Sequence, residues 1–100
     1  MFKDIITYEL NEGVDEAHLL EIAGQIIESW MSKQPGFIQW DINKNAIGEG
    51  YTDIVYWENR DAAGAAEKKM GDIPNAIDWF SCYKEGSIGS QNLMQLGSFK

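Results

Sequence analysis

The stretch Gly50–Lys69, GYTDIVYWENRDAAGAAEKK, constrains the fold of this chain most. Its first half alternates, with Tyr51, Asp53, Val55 and Trp57 on one side and Thr52, Ile54 and Tyr56 on the other. Aromatic and β-branched residues in a two-residue period predict a strand. The strand ends at Trp57-Glu58 and a helix starts at once. Asn59 is a capping residue and Asp61 sits in the first turn, where negative charge is favoured. Ala62, Ala63, Ala65 and Ala66 keep that helix thin, so that it can approach its neighbours closely.

The flanking segments supply the remaining elements. Phe2–Leu10 alternates, with Phe2, Asp4, Ile6, Tyr8 and Leu10 opposed to Lys3, Ile5, Thr7 and Glu9, and predicts a first strand. After the turn Asn11-Glu12-Gly13, Asp15 caps a helix expected over Asp15–Ser32. Leu19, Ile22, Ala23, Ile26, Ile27, Trp30 and Met31 form its apolar stripe. Pro35-Gly36 ends it. Phe37–Asn43 predicts a second strand, with Ile38, Trp40 and Ile42 opposed to Phe37, Gln39 and Asp41, and Asn43–Gly50 predicts a hairpin loop. Gly71-Asp72-Ile73-Pro74 breaks the alanine-rich helix, and Pro74 opens a short helix through Phe80. Gly86–Ser90 is a flexible connection, and the last strand is expected over Asn92–Phe99. The order is βαββαβ, in one domain over residues 1–100.

These strands carry apolar groups on both faces, and the helices can cover only one face of a four-stranded sheet. A second copy of the chain is the simplest cover for the other, which predicts a homodimer. Aromatic residues make up 12% of the chain, more surface than a small monomer hides readily, so a cavity, an interface or both are expected.

A formal charge of −8 argues against nucleic acid and anionic membrane as partners, because both reward a basic surface and Lys68-Lys69 is the sole adjacent basic pair. No apolar run approaches a bilayer-spanning length. Met1-Phe2-Lys3-Asp4 leads straight into a strand rather than into a basic-then-apolar leader, and the cytoplasm is the expected location. The lone cysteine, Cys82, allows no internal disulfide.

Pro-Gly-Phe before the second strand, and Tyr56-Trp57-Glu58-Asn59-Arg60-Asp61-Ala62-Ala63 at the junction of the third strand and second helix, carry a resemblance. The chain resembles the dimeric α+β-barrel superfamily, and within it the antibiotic-biosynthesis-monooxygenase (ABM-like) domain. The resemblance covers nearly the whole chain. It implies an α+β, ferredoxin-like protomer with a four-stranded antiparallel sheet, two such sheets packing into a barrel, and a pocket between sheet and helices. It also implies a range of activities, from cofactor-independent oxidation of polycyclic aromatic quinols to haem degradation. The haem-degrading members use a helix-borne histidine after the third strand, and Glu58–Lys100 holds no histidine. Trp57, Asn59, Arg60 and Trp79 match the residue types of the quinol-oxidising members' pockets without aligning to a defined motif.

Among individual residues, His18 is the one histidine and the candidate general base, set against a plain surface position on its helix. No paired His, Cys or carboxylate motif predicts a metal site, and no cofactor is expected. Asp41 and Asp53, on neighbouring strands, are expected to share a face as rim or interface groups. Cys82 has only Lys84 as a cationic neighbour and is expected to be packed and unreactive. Tyr56, Trp57, Trp79, Phe80 and Tyr83 are the candidate pocket residues, because flat aromatic walls suit a flat aromatic ligand. The alternative is that they serve core and dimer contacts. The functional expectation is a cofactor-independent monooxygenase-like protein acting on an aromatic or polyketide-like small molecule. Against it stands a non-enzymatic ligand-binding or interaction domain on the same scaffold.

Overall fold

The structure, a computed structural model, describes residues 1–100. Strand β1 (Phe2–Tyr8) leads to helix α1 (Glu16–Ser29), followed by the hairpin β2 (Phe37–Lys44) and β3 (Tyr51–Trp57). Helix α2 (Arg60–Lys68), the short helix α3 (Ala76–Phe80) and strand β4 (Gly89–Met94) complete it. The sheet is antiparallel throughout, in the order β2-β3-β1-β4, so the first and third strands are central. This is the ferredoxin-like α+β arrangement expected from the order of elements.

Local chemistry explains the boundaries. Asp15 accepts a hydrogen bond from the His18 backbone N–H at 2.8 Å, and Asn59 does the same for Ala62 at 2.9 Å. Each satisfies an N–H that the first helical turn leaves without a partner. Helix α1 is shorter than its apolar stripe suggests. It stops at Ser29, and the stripe's last residue, Met31, is buried from a 3-10 turn over Met31–Lys33. Strand β1 ends at Tyr8, and Leu10 makes only an isolated bridge to Tyr83.

Two expectations are corrected. The final strand is Gly89–Met94, not Asn92–Phe99. Its register on β1 runs from Gly89 opposite Thr7 to Met94 opposite Phe2, so pairing is exhausted where β1 begins. Leu96 and Phe99, whose apolar character drew the expectation towards the C-terminus, are fully exposed. Strand β2 also does not keep one parity. A bulge between Phe37 and Gln39 leaves Phe37 opposite Trp57, while Trp40 lies opposite Val55. One extra residue in a strand inverts the facing of everything before it, so Phe37 shares a face with Trp40 and not with Gln39 and Asp41.

With the registers known, the helix-covered face of the sheet reads as rows across β4, β1, β3 and β2. Met94, Phe2, Trp57 and Phe37 form one row; Asn92, Asp4, Val55 and Trp40 the next; Ser90, Ile6, Asp53 and Ile42 the third. The helices bury Leu19, Ile22 and Ile26 of α1, and Ala63 and Ala66 of α2, in the same core as Phe2, Val55 and Trp57. Gly36, at φ +81°, lies where α2 meets the loop into β2. A Cβ there would sit 2.5 Å from Ala62 Cβ, and its carbonyl accepts the Glu58 N–H at 2.8 Å. The opposite face carries Lys3, Ile5, Ile54, Tyr56 and Leu93 with no helix over them, as the strand patterns require. No helix is long and apolar enough to cross a membrane.

Candidate functional site

Between the covered face of the sheet and the layer formed by α2 and α3 lies a cavity of about 400 Å³. Its position follows from side-chain size. Alanine and glycine on α2 (Ala63, Gly64, Ala66) leave space that large residues on the sheet do not fill. Its walls are aromatic: Trp30 after α1, Trp40 on β2, Trp57 on β3 and Trp79 on α3. Trp79 meets Trp40 edge-on at 5.6 Å between ring centroids and donates its indole N–H to the Tyr83 hydroxyl.

Two carboxylates come up through the floor from the central strands. Asp53 is 2% exposed and is the one charged residue in the buried core. Its Oδ1 accepts the Tyr8 hydroxyl at 2.8 Å and its Oδ2 accepts the Trp40 indole N–H at 3.0 Å. Burial pushes its pKa up to about 6 against the opposing pull of those two donors. Asp4, one row away on β1, is half-buried. Burial raises its pKa, the Trp57 indole lowers it, and the Glu67 carboxylate raises it again. Tyr83, also lining the cavity, has its phenol held well above the usual range by burial and by the Asp53 charge. Arg60 and Glu67 stand on the exposed side of α2 at the mouth.

The Trp57 indole nitrogen is the one unsatisfied polar atom of the buried side chains. Trp57 is 3% exposed, and its N–H lies towards Asp4 without closing a hydrogen bond.

The residues singled out in the sequence divide between this site and other places. Trp57 and Trp79 line the cavity. Tyr56 does not. It pairs with Lys3 on the uncovered face, with the Lys3 ammonium 5.5 Å from its ring centre. A residue next to Trp57 in a strand must face the other way. Phe80 stacks on Trp79 at 5.3 Å but is 47% exposed and lies outside the lining. His18 is exposed on α1 and does not reach the cavity. Asp41 and Asp53 do not share a face: Asp41 pairs with Ile54, whereas Asp53 pairs with Ile42 and Ile6. Cys82 is fully buried, with a thiol raised by that burial.

The sequence reading missed Asp4 and Asp53 as cavity residues. The signal was present. Each is an acid at the apolar parity of its strand, Asp4 between Phe2 and Ile6, Asp53 between Tyr51 and Val55. An acid placed where only hydrophobes pack without penalty points to a site.

No family model matches the chain, and no curated protein does. Solved structures do. SnoaB, a cofactor-independent oxygenase from Streptomyces nogalater, is 14% identical with a TM-score of 0.75, over 97% of this chain and 94% of that one. A monooxygenase from the gene ActVA-Orf6 of Streptomyces coelicolor, in complex with nanaomycin D, is 15% identical with a TM-score of 0.73, over 99% of this chain and 90% of that one. The chain has the protomer fold of the antibiotic biosynthesis monooxygenases. A MhuD variant with two manganese protoporphyrin IX molecules bound per active site is similar more loosely. Its TM-score is 0.65 at 15% identity, over 100% of this chain and 99% of that one. At these identities the likeness is one of fold.

Proposed function

We propose that the cavity binds a planar aromatic small molecule and that the protein is a cofactor-independent monooxygenase, working as a homodimer. The observation that carries this is a tryptophan-walled cavity with an acid on its floor that titrates near neutrality, Asp53. Flat indole walls recognise a flat ligand and exclude water. Ionised Asp53 is placed to take a proton from an acidic ring position, which leaves the substrate electron-rich. The substrate then supplies the electrons for its own oxidation. A ring CH2 flanked by aromatic carbons becomes C=O, taking one atom of O2, and the second atom leaves as water with the two hydrogens lost. The cofactor-independent oxygenase and the monooxygenase with bound nanaomycin D among the structural neighbours support the reading. The expected stabilisation of a substrate anion falls to Arg60 at the mouth, the one basic residue of the lining.

Dithranol, a hydroxylated tricyclic with such a CH2, is a suitable probe. The proposal expects one O2 consumed per quinone formed, faster than the uncatalysed reaction, and loss of most of that acceleration in Asp53→Asn. Tight binding with no acceleration of oxygen uptake would instead favour a non-enzymatic ligand-binding domain on the same scaffold. Neither binding nor uptake would reject the cavity as the site.

A further inference from the structure

We infer that the Asp4–Glu67 end of the cavity is a subsite for a protonated primary amine on the ligand, so that the molecule this cavity takes carries a positive charge beside its aromatic ring. The inference rests on the proposal that the cavity binds an aromatic molecule, and it specifies the charge that molecule bears.

Three acids line the cavity, Asp4, Asp53 and Glu67, against Arg60 alone among the basic residues. None of the three is paired with a cation, since the one ion pair of the protein joins Lys44 to Glu16 at the surface. Lys3, next to Asp4 in the chain, faces the other way and lies over Tyr56. Asp53 at least holds two donors, the Tyr8 hydroxyl and the Trp40 indole. Asp4 is half-buried with only the Trp57 indole to favour its charge, while the Glu67 carboxylate opposes it. Carboxylates withdrawn from water are ordinarily matched by a countercharge, and here the protein supplies none.

The lining also places this missing charge. Arg60 and Glu67 lie two turns apart on α2, about 10 Å along its axis, so the mouth has a basic end and an acidic end. Asp4 belongs to the acidic end, because the Glu67 charge acts on it. Asn92, opposite Asp4 on β4, lines the same end. The carboxylates do not converge into a metal-ligand set, which leaves an organic cation. A primary ammonium has three N–H donors, and Asp4, Glu67 and the Asn92 amide oxygen are acceptors for them. Phe2 and Trp57 line the cavity beside Asp4, and aromatic rings stabilise a cation held against them. A neutral group at this end would leave the acids unmatched, and a carboxylate would add a further negative charge to them.

Equilibrium dialysis of the whole protein at pH 7 against 2-naphthylmethylamine and 2-naphthylmethanol tests this, because the two differ only in an ammonium for a hydroxyl. The subsite predicts that the amine binds about tenfold or more tighter. Asp4→Asn and Glu67→Gln keep the shapes and remove the charges. Each should cut the amine's advantage, and the two together should erase most of it, with the alcohol's affinity held within about twofold. Glu21→Gln removes an acid from the exposed face of α1, away from the cavity, and should leave the advantage intact. Equal binding of amine and alcohol would overturn the subsite and leave the cavity standing. So would an advantage that survives in the double variant, or one that Glu21→Gln reduces as much, which would assign it to the net charge of the chain. Failure of both probes to bind would overturn the cavity reading and the subsite together. Should the double variant fail to fold, Glu67→Gln, a change on the exposed side of α2, decides alone.

Discussion

Tyr8 donates its hydroxyl hydrogen to Asp53 at 2.8 Å, joining the two central strands across the floor of the cavity. The bond keeps a buried acid in place and partly offsets the effect of burial on it. Desolvation still dominates, so Asp53 titrates at about 6 rather than at its ordinary 3.8.

That displacement makes stability depend on pH with a definite sign. An acid with a raised native pKa holds its proton more tightly when folded, so protonation favours the native state. The contribution of Asp53 is therefore fully present below pH 3.8 and is lost as pH rises through about 6. Its size is at most about 3 kcal/mol. Urea denaturation from pH 4 to 7 should show this decline, and Asp53→Asn should flatten it. An unchanged slope in the variant would assign the effect elsewhere.

Trp79 is both wall and core. It is 7% exposed and packs on Trp40, Phe80 and Tyr83. Trp79→Ala should lower stability by about 3 kcal/mol or more, in the range for deleting a buried large aromatic. Trp79→Phe should retain most of it while weakening ligand binding. A fully stable Trp79→Ala protein would mean that α3 is not anchored by this ring.

The uncovered sheet face should be where two copies meet. Sedimentation equilibrium at micromolar concentration should give twice the 11.3 kDa chain mass. Ile54→Lys, which places a charge in the middle of that face, should return it to the single-chain mass. A wild-type protein that sediments as one chain ends the homodimer proposal.

Helix α2 roofs the cavity and starts at the Asn59 cap. Asn59→Ala removes the 2.9 Å bond to the Ala62 N–H. It should lower stability by about 1 kcal/mol, and Asn59→Asp should restore most of it. Equal stability of all three proteins by urea denaturation would show that the cap contributes nothing.

The order of elements was legible because the strands β1 and β3 alternate cleanly and both long helices carry capping residues. Tyr51–Trp57 is bounded as its pattern predicts. What was not legible depends on information that lies outside any one segment. Strand β4 has a single neighbour and a polar run, Ser90-Gln91-Asn92, so its extent is dictated by β1 rather than by its own residues. The bulge beside Ile38 carries no glycine or proline of its own, the Pro35-Gly36 before it reading as the helix stop, and Phe37 was assigned to the wrong side as a result. For the site, alternation places Trp57 and Tyr56 on opposite faces of β3. Naming both as walls of one pocket conflicted with a pattern already read. Which of the two faces carries helices is a tertiary fact, and it decided for Trp57. Asp4 and Asp53 were visible as acids among hydrophobes, but only the registers bring them to one floor.

Gly36 and Ala62 touch nothing inside the cavity, yet their contact governs how near α2 rides to the sheet. Two small residues act as a thin shim between the β2 loop and the roof. A thicker shim at either position would lift one edge of α2 and tilt the ceiling without altering any wall. The clearance available to a ligand is therefore adjustable from outside the site, through a pair of residues that a search confined to the lining would pass over.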